Sequence, residues 1–263
     1  MLVVAVPFVL PFYWMATSAL KSPMEILARP ILLWPTTMRW ENFSEALTFE
    51  GFPFLLFLRN SVFYAGLVTI GTVVSCAAIG YGFARLRFPG RNVLFMITVA
   101  TMMLPSFVTF IPTYILFKYL GLLGTYAPLI LPSYLGSGFF IFLMRQFYLG
   151  LPWELSESAK VDGAGEFRIF WQIMLPLVRP ALMAAGVFTF LWTWNDFFGP
   201  LIYIGDAKLF PLSVGLSVFR QRYVERWDLL MAASTITTVP VIGLFFLAQR
   251  SFLEGIKLTG IKG

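Results

Sequence analysis

The sequence predicts an all-α membrane protein of six transmembrane helices, with a two-helix loop projecting on one side. Three observations carry this. Hydrophobic residues occupy 59% of the 263 positions and charged residues only 12%, and mean hydropathy is +0.80, well outside the range of soluble globular domains. The apolar residues gather into continuous runs close to the ~20 residues that cross ~30 Å of hydrocarbon. These runs show no alternation, so barrel strands are set aside, and helices remain as the way to pair every backbone polar group in lipid.

Six spans fall at residues 1–20, 60–84, 92–117, 125–145, 181–204 and 229–249. The first run, MLVVAVPFVLPFYWMATSAL, has no positive n-region and no small-residue cleavage site, so it reads as a retained span that is short at its start. Between the first two spans lies a Pro-rich loop of mixed charge, in which SEALTF offers a short helix with Ser44 as its cap. The tight connection ARLRFPGR gathers Arg85, Arg87 and Arg91 with no acid, the clearest positive-inside signal in the chain. It belongs in the cytoplasm. Alternation then places the 145–180 segment, the tail at 250–263 and both termini inside, with the 21–59 and 205–228 loops outside. The 205–228 loop carries Arg220, Arg222 and Arg226 among aromatics, which reads either as interfacial arginines snorkelling to water or as a docking surface for an external partner.

Composition also excludes several functions. The net charge of +6 is scattered between apolar runs and forms no dense basic patch with interleaved aromatics, so nucleic-acid binding is not expected. Cys76 is the single cysteine, which excludes disulfides and thiolate metal sites within the chain. Histidine is absent, and with it the commonest general base, metal ligand and near-neutral proton relay. There is no GxxxxGK[ST] phosphate loop.

The least lipid-like interior stretch runs from Arg145 to Pro180. Pro152 suits a first helical turn, WELSESAKVD continues with helix formers, and Gly163 stands where a helix-terminating residue of positive φ is wanted. A second helix then places Phe167, Phe170, Trp171 and Met174 at i, i+3, i+4 and i+7 and gives way at Pro176. Two short helices joined at a glycine form a protrusion at 150–176. Seated in a partner's cleft, it would drag the attached spans as that cleft moves. An amphipathic interfacial hairpin without a partner would show the same periodicity.

The string ESAKVDGAGEFRIFWQIMLP resembles the EAA loop of ABC importer permeases, in which EAA, two residues, DGA, five residues, F, two residues, I, one residue and LP recur. Glu157, Ala159, Asp162, Gly163, Ala164, Phe170, Ile173, Leu175 and Pro176 fall in register, and Ser158 replaces an alanine. The resemblance implies a single permease domain over 1–263 of the type I importer fold, in the plasma or inner membrane of a prokaryote. It implies a non-catalytic subunit that binds no cofactor, ATP and Mg2+ being held by two cytoplasmic ATPase subunits. It also implies a second permease subunit and an external solute-binding protein. Glu157 matches the glutamate that can pair with a basic residue on the ATPase, and Gly163 the turn glycine.

The strings FLWTWNDFFGPLIYI and LFPLSVGLSVF, with the last span and tail, are similar to maltose-type (MalG-like) carbohydrate permeases. Glycerol-phosphate or another small polar solute is the alternative cargo, and a secondary transporter the alternative class. Trp194, Asn195 and Asp196 are candidates for the translocation pathway. Asp196 is an acid placed within a span, hence a functional candidate, although capping or packing would also account for it. Gly71, Ser75, Gly80 and Gly82 suit close packing against the second permease subunit.

Overall fold

The structure, a computed structural model, describes residues 2–259, and among these there is no strand. In chain order the helices are α1 (Leu2–Ser18), α2 (Pro23–Ile26), α3 (Glu41–Thr48), α4 (Phe54–Arg85), α5 (Arg91–Thr101), α6 (Ser106–Tyr119) and α7 (Ala127–Ile130). After a 3-10 segment at Leu131–Leu135 come α8 (Gly138–Leu149), α9 (Glu154–Val161) and α10 (Glu166–Arg168). A π-helical stretch, Ile169–Met174, leads into α11 (Leu175–Leu177), followed by α12 (Arg179–Trp194), α13 (Phe198–Tyr203), α14 (Leu212–Arg222) and α15 (Trp227–Thr259).

Among the described residues, three stretches are by themselves long and apolar enough to cross a membrane: Phe54–Arg85, Ala127–Leu149 and Trp227–Gln249. A fourth is added if Glu166–Leu177 and Arg179–Trp194, bent by 75°, are counted as one broken span. The other expected spans are helical but interrupted or shorter. Residues 92–117 form α5 and α6 with a break at 102–105, because Pro105 has no N–H to donate and disfavours helical backbone at Leu104. The 181–204 run breaks at 195–197, ahead of Gly199 and Pro200, although glycine and proline are the residues that commonly mark a break. Those two residues instead open α13, where a missing proline N–H is harmless.

The chain divides into two compact units, Met1–Phe63 with Asn195–Leu244, and Tyr64–Trp194 with Phe245–Gly263. In the first unit, α2 begins with a capping box between Ser22 and Glu25. Thr36 adds further hydrogen bonds that hold the Glu25 carboxyl at about 2. Asn42 donates to the carbonyls of Ala19 and Lys21 at 2.9 Å, which seats α3 on the end of α1. The helix expected from Ser44 starts at Glu41, with Ser44 Oγ donating back to Glu41 O rather than capping. Asn60 donates to Lys208 O and Phe210 O, and Ser61 Oγ accepts the Leu212 N–H at 2.7 Å. Phe49, Phe52, Phe57, Phe219 and Tyr223 pack as an aromatic cluster with centroids 4.8–5.6 Å apart. Arg226 bridges Glu45 at 2.7 Å and Asp228 at 3.1 Å, so it is a structural tie here, whereas Arg220 and Arg222 are exposed.

In the second unit, α4, α8, the 169–174 turn and α12 share one core containing Tyr81, Phe140, Met144, Tyr148, Ile169, Met174 and Ala181. Small residues on α4 make this approach close. A Cβ on Gly71 would lie 2.5 Å from Ser133 Oγ, and one on Gly80 2.6 Å from Met144 Cβ. Ser75 Oγ donates to Ser133 O at 2.9 Å. Gly71, Ser75 and Gly80 therefore serve packing inside this chain, a correction to their reading as an intersubunit face. Nothing lies within 4 Å of a Cβ on Gly82.

Candidate functional site

The expected protrusion is present as α9, a turn, and the α10–π–α11 run. Its turn explains the residue pattern physically. Asp162 is the C-cap of α9, and Gly163 follows with φ +79. The Gly163 N–H donates to Lys160 O at 3.0 Å and the Ala164 N–H reaches back to Ala159 O at 2.9 Å. These two bonds define a Schellman cap, in which the residue after the C-cap takes left-handed backbone and favours glycine. Such a cap also brings the residue after the glycine against the third residue from the helix end. Those residues are Ala164 and Ala159, of which Ala159 belongs to the apolar core of the unit and Ala164 packs against it. The spacing A-x-x-D-G-A is thus a stop signal that fixes where α9 ends and at what angle the chain leaves it.

The same turn decides which side chains face outward. Ala159 and Ser156 are buried, whereas Glu157, Ser158, Lys160 and Asp162 are exposed, with Val161 at 88%. Ser158 Oγ donates to Glu154 O at 2.8 Å on the exposed face, so replacing alanine by serine leaves the buried face intact. Beyond the turn, the stripe read as helical at i, i+3, i+4 and i+7 is split. Met174 is buried and Phe170 packs on Tyr81 with centroids 5.1 Å apart, whereas Phe167 (77%) and Trp171 (58%) project outward and stack on each other.

The cause is the π-helical stretch, which shifts the angular register of successive residues. Pro176 supplies the reason for it. Proline lacks an N–H for the carbonyl four residues back, and its ring collides with that carbonyl in a regular helix. Widening the preceding turn relieves both. Proline is tolerated in the first turn of α11, and the helix gives way at Val178, two residues after the expected Pro176. Ile173 and Leu175 are half-buried and Pro176 is exposed.

Two groups on α4 that sequence reasoning did not assign to the site hold this loop. Arg85, 5% exposed, donates from Nη2 to Tyr148 O and Leu151 O at 2.6 Å and from Nε to Tyr148 O at 3.1 Å. Its guanidinium also lies over the Trp153 ring, 4.6 Å from the centroid. One turn earlier, Tyr81 Oη donates to Glu166 Oε2 at 2.8 Å, and Lys160 Nζ contacts Glu166 Oε1 at 2.5 Å. The Lys160 hydrogen bond first, and the Tyr81 one after it, hold the Glu166 carboxyl below its usual value despite some burial. Arg85 entered the sequence reading only as a topology signal; its i, i+4 spacing from Tyr81 was the available clue. A recess of about 580 Å3 opens beside these groups, with Arg87, Trp153, Glu157 and Lys160 on its walls.

The candidate pathway residues differ in their settings. Trp194 closes α12, is buried, and stacks on Phe190 at 5.2 Å between centroids. Asn195 is exposed and Asp196 half-buried. Asp196 Oδ1 accepts the Gly199 N–H at 3.1 Å, satisfying a donor in the first turn of α13, and its carbonyl accepts from Ser213 Oγ at 2.6 Å. Of the tail expected at 250–263, α15 continues to Thr259, and residues 260–263 lie outside the described residues.

Among the described residues the chain is all-helical, with stretches long and apolar enough to span a membrane and a capped loop between α8 and α12, the architecture of a membrane subunit. Residues 75–257 match the family described as Binding-protein-dependent transport system inner membrane component. The chain belongs to this family, the membrane permeases of ABC importers. It is 33% identical over 257 residues to the arabinooligosaccharides transport system permease protein AraQ of Halalkalibacterium halodurans, covering 97% of this chain and 91% of that one. It is 34% identical over 263 residues to the sn-glycerol-3-phosphate transport system permease protein UgpE of Yersinia pestis bv. Antiqua, covering 97% and 93%. Among solved structures, a chain of a bacterial ABC transporter involved in the import of the acidic polysaccharide alginate shares the fold, with a TM-score of 0.84 at 21% identity over 95% of this chain and 92% of that one.

Proposed function

We propose that this permease forms half of a transmembrane pathway for a sugar or oligosaccharide, paired with a second permease subunit and driven by two cytoplasmic ATPase subunits. The loop of α9 and its cap stands on the cytoplasmic side with both termini, and an external binding protein delivers solute to the side of the 205–228 loop. ATP and Mg2+ belong to the ATPase subunits, and this chain performs no hydrolysis. Closure of the ATPase pair pulls α9, and the spans attached at 149 and 179 follow. The observation that carries this reading is the Schellman-capped α9, which presents Glu157 and Asp162 outward on a helix fixed to the core through Ala159 and Ala164.

The sugar assignment rests on the likeness to the arabinooligosaccharide permease and on the WNDFFGPL region. Glycerol phosphate is the second reading, favoured by an equally similar relative of that name. The test is uptake in proteoliposomes containing this chain, its neighbouring permease, the ATPase and the binding protein. Uptake should require internal ATP, and Glu157→Lys or Gly163→Pro should abolish uptake and solute-stimulated ATPase while the protein still reaches the membrane. Uptake driven by a sodium or proton gradient without ATP would refute the assignment. Competition between an oligosaccharide and glycerol phosphate for the binding protein separates the two cargoes.

A further inference from the structure

We infer that Tyr81 and Arg85 are positioning residues that fasten the end of α4 to both sides of the docking helix α9, so that α4 moves with that helix during transport. The inference rests on the coupling role proposed for the loop and identifies the span through which its motion passes.

The geometry is as follows. Tyr81 and Arg85 are four residues apart on α4 and therefore project from one face. Arg85 grips the segment before α9. Its guanidinium takes the carbonyls of Tyr148 and Leu151, with Pro152 O at 3.4 Å, and covers the ring of Trp153. Tyr148 lies in the last turn of α8 and Leu151 just beyond it, where carbonyls have no i+4 amide of the helix to accept from and a cation is favoured. Tyr81 grips the segment after α9 through Glu166, and Glu166 is tied back to α9 itself by Lys160. The docking helix is thus held to α4 at its entry and at its exit, by a buried guanidinium and by a carboxylate bridge.

No ladder of backbone bonds joins these elements, which lie 63 to 85 residues apart in the chain. A guanidinium bonded to several carbonyls is a planar fork held in one orientation, whereas a lysine ammonium is a point charge on a flexible stem and is not fixed in that plane. The two ties therefore give a physical route for force from loop to span that needs no covalent neighbour. Their position, at the last turns of the 32-residue span Phe54–Arg85, is where a lateral pull on the loop would tilt that helix.

The test uses the full complex with ATPase, partner permease and binding protein in proteoliposomes. Arg85→Lys keeps the charge and loses the fork; Tyr81→Phe keeps the ring in the core and removes only the hydroxyl. The readouts are the ATPase retained per permease, solute-stimulated hydrolysis, and solute transported per ATP. Both variants should retain the ATPase while transport per ATP falls by about fivefold or more, the scale of a coupling free energy of 1 kcal/mol or above. A merely structural role would lower the amount of assembled complex and leave transport per ATP in the remainder unchanged; that outcome overturns the inference. If Arg85→Lys fails to assemble, Tyr81→Phe decides in the same way. If the wild-type complex shows no ATP-dependent uptake, the coupling role fails first and this inference with it.

Discussion

Gly163→Ala should weaken docking of the ATPase without unfolding the membrane domain, and the structure sets the size of the effect. A methyl group at Gly163 would meet nothing within 4 Å, so no collision contributes. What remains is backbone: at φ +79 an L-residue is strained by roughly 1–2 kcal/mol. That strain favours opening of the two hydrogen bonds that close the cap, from Gly163 to Lys160 and from Ala164 to Ala159. If docking needs the capped form, the apparent Kd for the ATPase rises by up to about 5- to 30-fold, the factor that 1–2 kcal/mol represents. Asparagine tolerates left-handed backbone better, so Gly163→Asn should fall between wild type and alanine.

Gly121 provides the control, because it has φ +68 with equally open space but lies between α6 and α7, away from the loop. The assay is titration of purified ATPase onto nanodisc-held permease, read by fluorescence anisotropy. Wild-type affinity in Gly163→Ala, or an equal loss in Gly121→Ala, would refute the argument that the cap orients the docking helix.

Three further outcomes follow from other contacts. The Glu166 carboxyl is held below its usual value near 4.5, so its tie to Lys160 and Tyr81 stabilises the loop at neutral pH and is lost as pH falls through the lowered value. Amide exchange across residues 160–168 should therefore quicken, after correction for intrinsic rates, as pH falls from 4.5 through that lowered value, and Lys160→Met should reduce that difference. Asp196→Ala should destabilise the start of α13 by about 1 kcal/mol, measured by thermal unfolding in detergent, whereas Asp196→Asn keeps an accepting oxygen and stability close to wild type. If Asp196→Asn nevertheless stops uptake, the carboxylate acts on the pathway and not through the cap alone. Gly80→Ala should destabilise the chain by about 1–3 kcal/mol because its methyl lands on Met144 Cβ, while Gly82→Ala, with open space, should not.

The residue pattern around α9 was legible because its requirements are local. A small residue at Ala159, a C-cap at Asp162 and a glycine at 163 are all dictated by one turn of backbone, and a local rule writes itself into adjacent positions. The break at 195–197 was harder to place. Glycine and proline normally mark the end of a helix, yet Gly199 and Pro200 open α13, with Asp196 satisfying one of its first amides. Pro176 was read correctly as a disruption, but its effect travels backwards as a π-helical stretch and reorients Phe167 and Trp171. Arg85 and Glu166 could not be paired with their partners from spacing, since their contacts span 63 to 85 residues and depend on how α4 meets the loop. Gly71, Ser75 and Gly80 showed that small residues were needed, not which helix would approach them; that helix proved to be in the same chain.

The central claim is that α9 and its cap are the surface on which the ATPase sits. Site-directed crosslinking at Val161 tests it most directly. Val161 is 88% exposed beside Asp162, and the single native cysteine, Cys76, is buried, so Val161→Cys supplies one accessible thiol. In membranes carrying the assembled transporter, a short bifunctional thiol reagent should join this position to the ATPase subunit, with yield changing between nucleotide-free and ATP-bound states. Crosslinking to the external binding protein instead, or labelling of Val161→Cys only by reagents added outside the cell, would contradict the account.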